Sequence, residues 1–280
     1  MPNLPAGPGR ALWGLIRATH ALPTLAVTAF FTATALAAGL GPRSALLALA
    51  VIVGQSSIGW ANDYLDAPLD RAAGRTDKPV ASGDVRRGTV GACAAAALVA
   101  DVPLSLLIGW RAGAAHLVAV GSAWLYDLRL KHTLLSALPY VVSFGLVPVI
   151  VAAALPGHPR PQLALVAAAA ACGVAAHFAN TLGDVDADTA TGVRGLPQRV
   201  GPDHSAVVAA ALIAVAAGCL VVATDAAPLA IAAGVVDTAA AAVVVARGGA
   251  RDRAFTLLIV GVAVLVAAFV VSGGDRLTAG

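Results

Sequence analysis

The sequence predicts an all-α integral membrane protein with about nine transmembrane helices. Of its 280 residues, 59% are hydrophobic and 12% are charged, whereas a soluble domain has about 45–50% apolar and about 25% charged residues. Nine apolar segments approach the roughly 20 residues that a helix needs to cross a bilayer core. They are residues 21–40, 44–61, 89–110, 113–127, 134–155, 162–181, 204–224, 226–246 and 254–272.

The first of these segments is predicted to be a membrane span. Arg10 and Arg17 precede it, as basic residues precede the apolar region of a secretory signal peptide. That region is only about 7–15 residues long. Residues 21–40 are longer, and similar segments follow along the chain. The three cysteines lie in apolar runs without metal-ligand spacing, and we interpret them as small apolar side chains.

The distribution of basic residues predicts the topology. If the N-terminus is cytoplasmic, 14 of the 18 Lys and Arg residues lie on the cytoplasmic side. The exceptions are Arg43, Arg111, Arg160 and Arg276. The positive-inside rule therefore predicts a multi-pass protein of the cell membrane with a cytoplasmic N-terminus. It also places both long polar loops, 62–88 and 182–203, in the cytoplasm. The net charge of only +3 says little about partners, and no nucleic-acid partner is expected.

The two polar loops resemble each other, which indicates an internal duplication. A shift of 118 residues superposes seven identical residues without a gap. The pairs are Ala61 and Ala179, Asn62 and Asn180, Asp66 and Asp184, Asp70 and Asp188, Gly74 and Gly192, Pro79 and Pro197, and Gly83 and Gly201. We therefore predict a single transmembrane domain over 1–280. Its two related halves, roughly 1–140 and 141–280, are predicted to share one active site.

The repeated pattern N-x3-D-x3-D predicts a cation site. Residues four apart lie on nearly the same helix face, about 6 Å per step. Clustered carboxylates near a membrane interior repel one another unless a cation compensates them. Mg²⁺ prefers such hard oxygen ligands and often bridges them to substrate phosphates. Arg and Lys bind phosphate oxygens, and they follow both motifs as Arg71, Arg75, Lys78, Arg194 and Arg199. Together these residues predict a magnesium diphosphate site.

At these residues the chain resembles the UbiA superfamily of intramembrane prenyltransferases. The first family motif, NDxxDxxxD, is matched by Asn62, Asp63, Asp66 and Asp70. The second, DxxxD, is matched by Asp184 and Asp188, with Asp186 inside it. The resemblance implies a helical bundle around a central cavity that opens to lipid. It also implies Mg²⁺ as the cofactor, held by Asn62, Asp63, Asp66, Asp70, Asp184 and Asp188.

The resemblance further implies the roles of individual residues. Asp66, Asp70, Asp184 and Asp188 would be catalytic. Substrate-binding residues would be Asn62, Arg75, Lys78, Asn180, Arg194 and, from the sequence YDLRLKHT, Tyr126 and Lys131. The expected reaction transfers the prenyl group of an isoprenoid diphosphate to a lipophilic or aromatic acceptor in the membrane lipid and releases diphosphate.

Three other functions remain open at this stage. A UbiA-like terpene cyclase would use the same diphosphate site without a separate acceptor. Another superfamily reaction joins a sugar diphosphate donor to a polyprenyl phosphate. A transporter would also contain repeats and intramembrane polar residues, but its site usually lies near the midplane.

Four polar residues outside the motifs are candidates for further roles. Asp101 and Asp237 lie within predicted spans, where a carboxylate either serves function or hydrogen-bonds a neighbouring helix. His177, just before Asn180, is a candidate for the cavity wall. We interpret His20 as an interfacial side chain, with contact to the acceptor as the alternative.

Overall fold

The computed structural model describes residues 7–182, 192–224, 228, 230–232, 234–236, 251–272 and 277–278. Within these ranges the chain is almost entirely helical, because a helix satisfies its own backbone hydrogen bonds in lipid. The helices are α1 (Pro8–Ala18), α2 (Ala21–Ala37), α3 (Arg43–Ala72), α4 (Arg87–Ile108), α5 (Trp110–Leu128), α6 (Leu138–Ala154), α7 (Leu163–Thr181), α8 (Leu196–Val200), α9 (Pro202–Ala223) and α10 (Arg251–Ser272). Two short 3₁₀ turns, Leu130–His132 and Leu134–Ala137, connect α5 to α6.

The described residues confirm the all-helical class but not the count of nine spans. Five helical segments are long and apolar enough to cross a membrane, namely α3, α4, Leu134–Ala154, α7 and α9. Helices α1 and α2 meet at a 53° bend and together give a sixth candidate. The predicted span 113–127 is helical and lies within α5. Polar residues of α5, such as Arg111, His116 and Asp127, lower the mean hydropathy of this helix. Most of the predicted span 226–246 lies outside the described residues.

Helix α3 is the longest described helix and extends well past its predicted apolar span. It has 30 residues, so Asn62 to Asp70 are helical and the connection to α4 begins only at residue 73. The helix ends in a Schellman motif, in which the backbone N–H of Arg75 donates to the Asp70 carbonyl and that of Gly74 to the Arg71 carbonyl. Gly74 has φ 67° there, a conformation that glycine adopts without a steric penalty.

Small residues allow the helices to approach closely. The most extensive helix contacts are those of α3 with α4 and of α7 with α9. The core contains many fully buried alanines, for example Ala50, Ala168, Ala209 and Ala216. Such residues are typical of helix interfaces within membranes, where van der Waals packing replaces the hydrophobic effect between helices.

The short helix α1 packs against the connection between α3 and α4. The side chains of Leu12, Trp13 and Ile16 are 61%, 50% and 45% exposed, as on a helix that lies in the membrane interface. On the opposite side, Arg10 and Arg17 contact Asp84 at 2.7 and 3.1 Å. Arg17 also donates to the backbone carbonyl of Asp77. These contacts fix the connection that carries Lys78.

We expect the attachment of α1 to depend on pH through Asp84. Partial burial alone would raise the pKa of Asp84, but hydrogen bonds from Arg10 and Ser82 and the charges of Arg10 and Arg17 lower it below its ordinary value of 3.8. A carboxyl group with a lowered folded-state pKa stabilises the fold above its unfolded-state pKa, and this stabilisation is lost as the pH falls through the folded-state value. The melting temperature of Asp84→Asn should therefore lie below that of the wild type near neutral pH. The difference should shrink below about pH 4, and a difference that stays constant as the pH falls well below this value would contradict this assignment.

Candidate active site

Four polar residues from α3, α5 and the following 3₁₀ turn meet at the end of α3. The Asn62 amide nitrogen donates to Asp66 Oδ2 and to Asp127 Oδ1, both at 3.0 Å. The Lys131 ammonium donates to Asp66 Oδ1. Asp127 and Lys131 are almost completely buried. The structure thus joins three residues predicted from sequence, Asn62, Asp66 and Lys131, and adds Asp127.

Asp63 faces a different set of partners, because adjacent helical residues differ by about 100° in direction. Its Oδ1 lies 2.9 Å from Nε2 of His20 and 3.0 Å from the Lys78 ammonium. Its Oδ2 is buried and has no hydrogen-bond partner among the described residues. His20 has φ 54°, a left-handed conformation that costs a non-glycine residue about 1–3 kcal/mol. Contacts to Asp63 and Lys78 help to hold it there, so His20 is also part of the polar site, while its interfacial position stays a prediction.

Asp70 and Arg75 occupy the outer end of the site. Asp70 lies two turns beyond Asn62 on α3. Arg75 forms a two-point ion pair with Asp77, with both contacts at 2.9 Å. This hydrogen bonding lowers the pKa of Asp77 below its ordinary value. In this structure the Arg75 guanidinium is therefore engaged by its neighbour in the connection.

The second motif lies largely outside the described residues, which end at Leu182 and resume at Gly192. Asp184, Asp186 and Asp188 fall in that gap, and Asp237 falls in another. Asn180 is described and exposed, as is Arg194. The segment after the gap lies near Lys131, which contacts Asp66 of the first motif. The backbone N–H of Leu196 donates to Ser136 Oγ at 2.8 Å. A Cβ atom on Gly195 would lie 2.6 Å from the Lys131 carbonyl oxygen. Lys131 therefore lies between Asp66 and the segment that follows the second motif.

An aromatic cluster adjoins these residues on the membrane side. His177 stacks on Tyr140 with ring centroids 4.4 Å apart, and Tyr126 packs edge-on against both rings at 5.3 and 5.6 Å. Ser136 Oγ lies 3.1 Å from Nε2 of the buried His177. His177 is thus part of a packed wall between α5, α6 and α7, and its predicted place in the wall of the cavity stays a prediction. Tyr126 belongs to the same wall.

An apolar cavity lies deeper in the bundle. Its lining includes Phe30, Val147, Cys172, Leu220, Leu265 and Phe269, from α2, α6, α7, α9 and α10. Phe30 is ten residues from His20, or about 15 Å along a helix. The cavity therefore lies well inside the membrane relative to the polar site.

Asp101 belongs to a separate buried cluster. Its Oδ1 accepts a hydrogen bond from Ser105 at 3.2 Å and lies 3.8 Å from His116 Nδ1 on α5. Ser105 Oγ also lies 2.8 Å from that nitrogen. Among the two interpretations of Asp101, the structure therefore supports contact with a neighbouring helix.

Sequence comparison identifies the family of this chain. The model of the UbiA prenyltransferase family matches residues 21–256, which is most of the sequence. The chain belongs to the UbiA prenyltransferase family. Family membership makes it a multi-pass membrane protein and an enzyme of the prenyltransferase class, and it gives no support to the transporter alternative.

Individual relatives agree with this family. The chain is 31% identical over 215 residues to digeranylgeranylglyceryl phosphate synthase of Natronomonas pharaonis, covering 74% of this chain and 75% of that protein. A structure from work on digeranylgeranylglyceryl phosphate synthase in membranes has a TM-score of 0.69 at 16% identity, covering 95% of this chain and 99% of that one. A UbiA homolog from Archaeoglobus fulgidus bound to GPP and Mg²⁺ also has a TM-score of 0.69, at 17% identity, covering 91% of this chain and 97% of that one. At these identities the two structures support the fold alone.

Asp127 is the residue of this site that sequence reasoning missed. It lies inside YDLRLKHT, between the predicted Tyr126 and Lys131. A carboxylate at the polar end of an apolar segment is common, and nothing local distinguishes it. Its partner, Asn62, is 65 residues away in sequence.

Proposed function

We propose that this UbiA family member transfers the prenyl group of an isoprenoid diphosphate to an acceptor dissolved in the membrane. The observation that best supports this proposal is the arrangement of the first motif. Carboxylates of Asp66 and Asp63 lie at the end of one long helix, and each contacts a Lys ammonium, Lys131 or Lys78. Acidic ligands for a cation beside basic ligands for an oxyanion suit a metal diphosphate.

The residues present fit Mg²⁺ as the cofactor. Because both neighbours of the Asn62 amide nitrogen are carboxylates, its Oδ1 is directed away from them. Asp63 Oδ2 is buried without a hydrogen-bond partner in the described part of the chain. Mg²⁺ prefers such oxygen ligands. No three acidic, His or Cys side chains converge among the described residues, so the proposed site also requires Asp184 and Asp188. The Archaeoglobus homolog bound to GPP and Mg²⁺ supports this proposal.

Each of these groups has a separate role in the proposed reaction. The bond between C1 of the prenyl group and the diphosphate oxygen breaks, and its electron pair stays with diphosphate. C1 then bonds to a nucleophilic atom of the acceptor, which releases a proton. Bound Mg²⁺ supplies positive charge that stabilises the departing diphosphate. Lys131 and Lys78 provide ammonium groups beside it, with Arg75 and Arg194 nearby in sequence. A face of Tyr126 stabilises positive charge on the prenyl group, by about 0.5–2 kcal/mol.

The hydrocarbon end of the donor would extend toward the apolar cavity, whose lining comes from five helices and is almost entirely apolar. Because the cavity volume is only about 40 Å³, the surrounding side chains would have to move to admit a prenyl chain. For the acceptor we propose a lipophilic or aromatic molecule. The relative from Natronomonas is named for a prenylated glyceryl phosphate, which makes a glyceryl phosphate lipid a second acceptor class to test.

We further propose that the chain is one domain of two related halves. The shift of 118 residues superposes α3 on α7 and α4 on α9. Matched glycines have matched backbones, with φ 67° and 85° at Gly74 and Gly192 and φ 80° and 86° at Gly83 and Gly201. These similarities support one ancestral unit. With the distribution of Lys and Arg, they also support a site made by both halves at the cytoplasmic face of the cell membrane.

The test uses purified protein in lipid with Mg²⁺ and labelled prenyl diphosphates of several lengths. Each is incubated alone, with aromatic acceptors and with glyceryl phosphate lipids. We expect a prenylated product that requires both acceptor and Mg²⁺. Diphosphate release with a cyclic hydrocarbon and no acceptor would instead show a cyclase. Failure of every donor to bind in the presence of Mg²⁺ would contradict the proposal.

A further inference from the structure

Asp127 is an acidic residue whose burial needs an explanation. Its side chain is 4% exposed, and its Oδ2 has no hydrogen-bond partner among the described residues. The ammonium of Lys131 is paired with Asp66 and not with Asp127. A buried carboxylate without a full set of partners destabilises a protein and is rare inside membranes. A gain in stability therefore does not account for Asp127.

The contact between Asp127 and Asn62 has a defined effect on the Asn62 amide. The NH₂ group of an amide has two N–H donors, and its oxygen only accepts. Asp66 Oδ2 and Asp127 Oδ1 each lie 3.0 Å from the Asn62 nitrogen, so the two donors each have a carboxylate acceptor. Because the nitrogen faces both carboxylates, the oxygen is directed away from them. Without Asp127 the amide loses one of the two contacts that fix its rotation.

We infer that Asp127 is a positioning residue for the metal-binding end of α3. It orients Asn62 so that the amide oxygen is available to a divalent cation, and it does so from α5, outside both Asp-rich motifs. Residues that orient metal ligands typically change metal affinity or activity by about 10- to 100-fold when they are mutated. This inference rests on the proposed Mg²⁺-dependent function.

Two variants separate the orienting hydrogen bond from the negative charge. Asp127→Ala removes the acceptor for the Asn62 amide. Asp127→Asn keeps an acceptor oxygen at nearly the same place and removes the charge. We expect Asp127→Ala to raise the Mg²⁺ concentration for half-maximal activity by about 10- to 100-fold, while kcat at saturating Mg²⁺ falls much less. Asp127→Asn should recover most of the metal affinity. Asp203→Ala, which changes an exposed carboxylate at the start of α9, is the matched control.

A binding measurement provides a readout that does not depend on turnover. Binding of a labelled thiolodiphosphate analogue of the donor is titrated with Mg²⁺ in the absence of acceptor. The Mg²⁺ concentration at the midpoint of binding should rise for Asp127→Ala and return toward the wild-type value for Asp127→Asn. Equal midpoints for the wild type and Asp127→Ala would overturn the inference, as would an Asp127→Asn variant no better than Asp127→Ala. If the wild-type protein itself shows no Mg²⁺-dependent binding, the proposed function fails before any variant is compared.

Discussion

Asp66→Asn is expected to lower kcat/KM for the prenyl diphosphate by about 10²- to 10³-fold, the loss typical of removing one group that stabilises developing charge. Asp66 is the shared centre of the first motif, since it accepts hydrogen bonds from both Asn62 and Lys131. The substitution removes the negative charge that compensates the buried Lys131 ammonium. It also removes one proposed ligand for Mg²⁺. Both effects act at the departing diphosphate.

Initial rates over a range of Mg²⁺ and donor concentrations measure this effect. Asp203→Asn is the matched control, because it makes the same chemical change at an exposed carboxylate. The wild type and the control should agree within about twofold, while added Mg²⁺ should not restore Asp66→Asn. A rate for Asp66→Asn near that of the wild type would show that the first motif does not bind the reacting group.

Gly59→Ala is expected to give the largest loss of stability among single-methyl changes in the described residues of α3. A Cβ atom on Gly59 would lie 2.5 Å from the carbonyl oxygen and 2.6 Å from the carbonyl carbon of Thr19. These two atoms belong to the Thr19 backbone at the junction of α1 and α2, so they cannot rotate away as a side chain can. Overpacking of a core typically costs about 1–3 kcal/mol, which corresponds to a fall in melting temperature of about 2–12 °C.

Gly121→Ala provides the control for Gly59→Ala. Its added methyl group has no atom within 4 Å, and Gly121 is exposed on α5. An alanine there should leave the melting temperature unchanged or raise it, because alanine favours helix by up to about 1 kcal/mol over glycine. Gly59→Ala should also weaken donor binding, since Thr19 precedes His20 and His20 contacts Asp63. Identical melting curves for the two variants would mean that α1 and α3 do not pack as described.

The sequence could predict those parts of the site that depend on a single helix. The spacing of Asn62 and Asp66 places them one turn apart on one face, and their side chains do hydrogen-bond. Apolar length and basic residues likewise predicted the helical membrane class. The prediction was weaker wherever polar residues lie within a helix, as in α5, because hydropathy then falls while helical packing persists.

The remaining contacts depend on how helices cross, which sequence does not encode locally. The sequence of the motif NDxxDxxxD suggests a single set of metal ligands. In the structure, the helical rotation between Asn62 and Asp63 turns them apart, so that Asn62 contacts Asp127 and Asp63 contacts His20. Asp127 lies on α5, and His20 lies at the junction of α1 and α2. Arg75 was predicted to contact diphosphate from its position beside the motif, and this stays a prediction; in the structure Asp77, two residues later, engages its guanidinium. Asp184 and Asp188 stay predictions, as they lie outside the described residues.

The length of α3 has a consequence for how substrates reach the enzyme. Its 30 residues extend about 45 Å, whereas the hydrocarbon core of a bilayer is about 30 Å thick. The motif on its last turns is therefore at the depth of the lipid headgroups. A donor whose chain is dissolved in the leaflet on that side carries its own polar head at that same depth. It meets the enzyme by diffusing in the plane of the membrane, so its surface density in the leaflet, and not its concentration in the adjoining water, sets the rate of encounter.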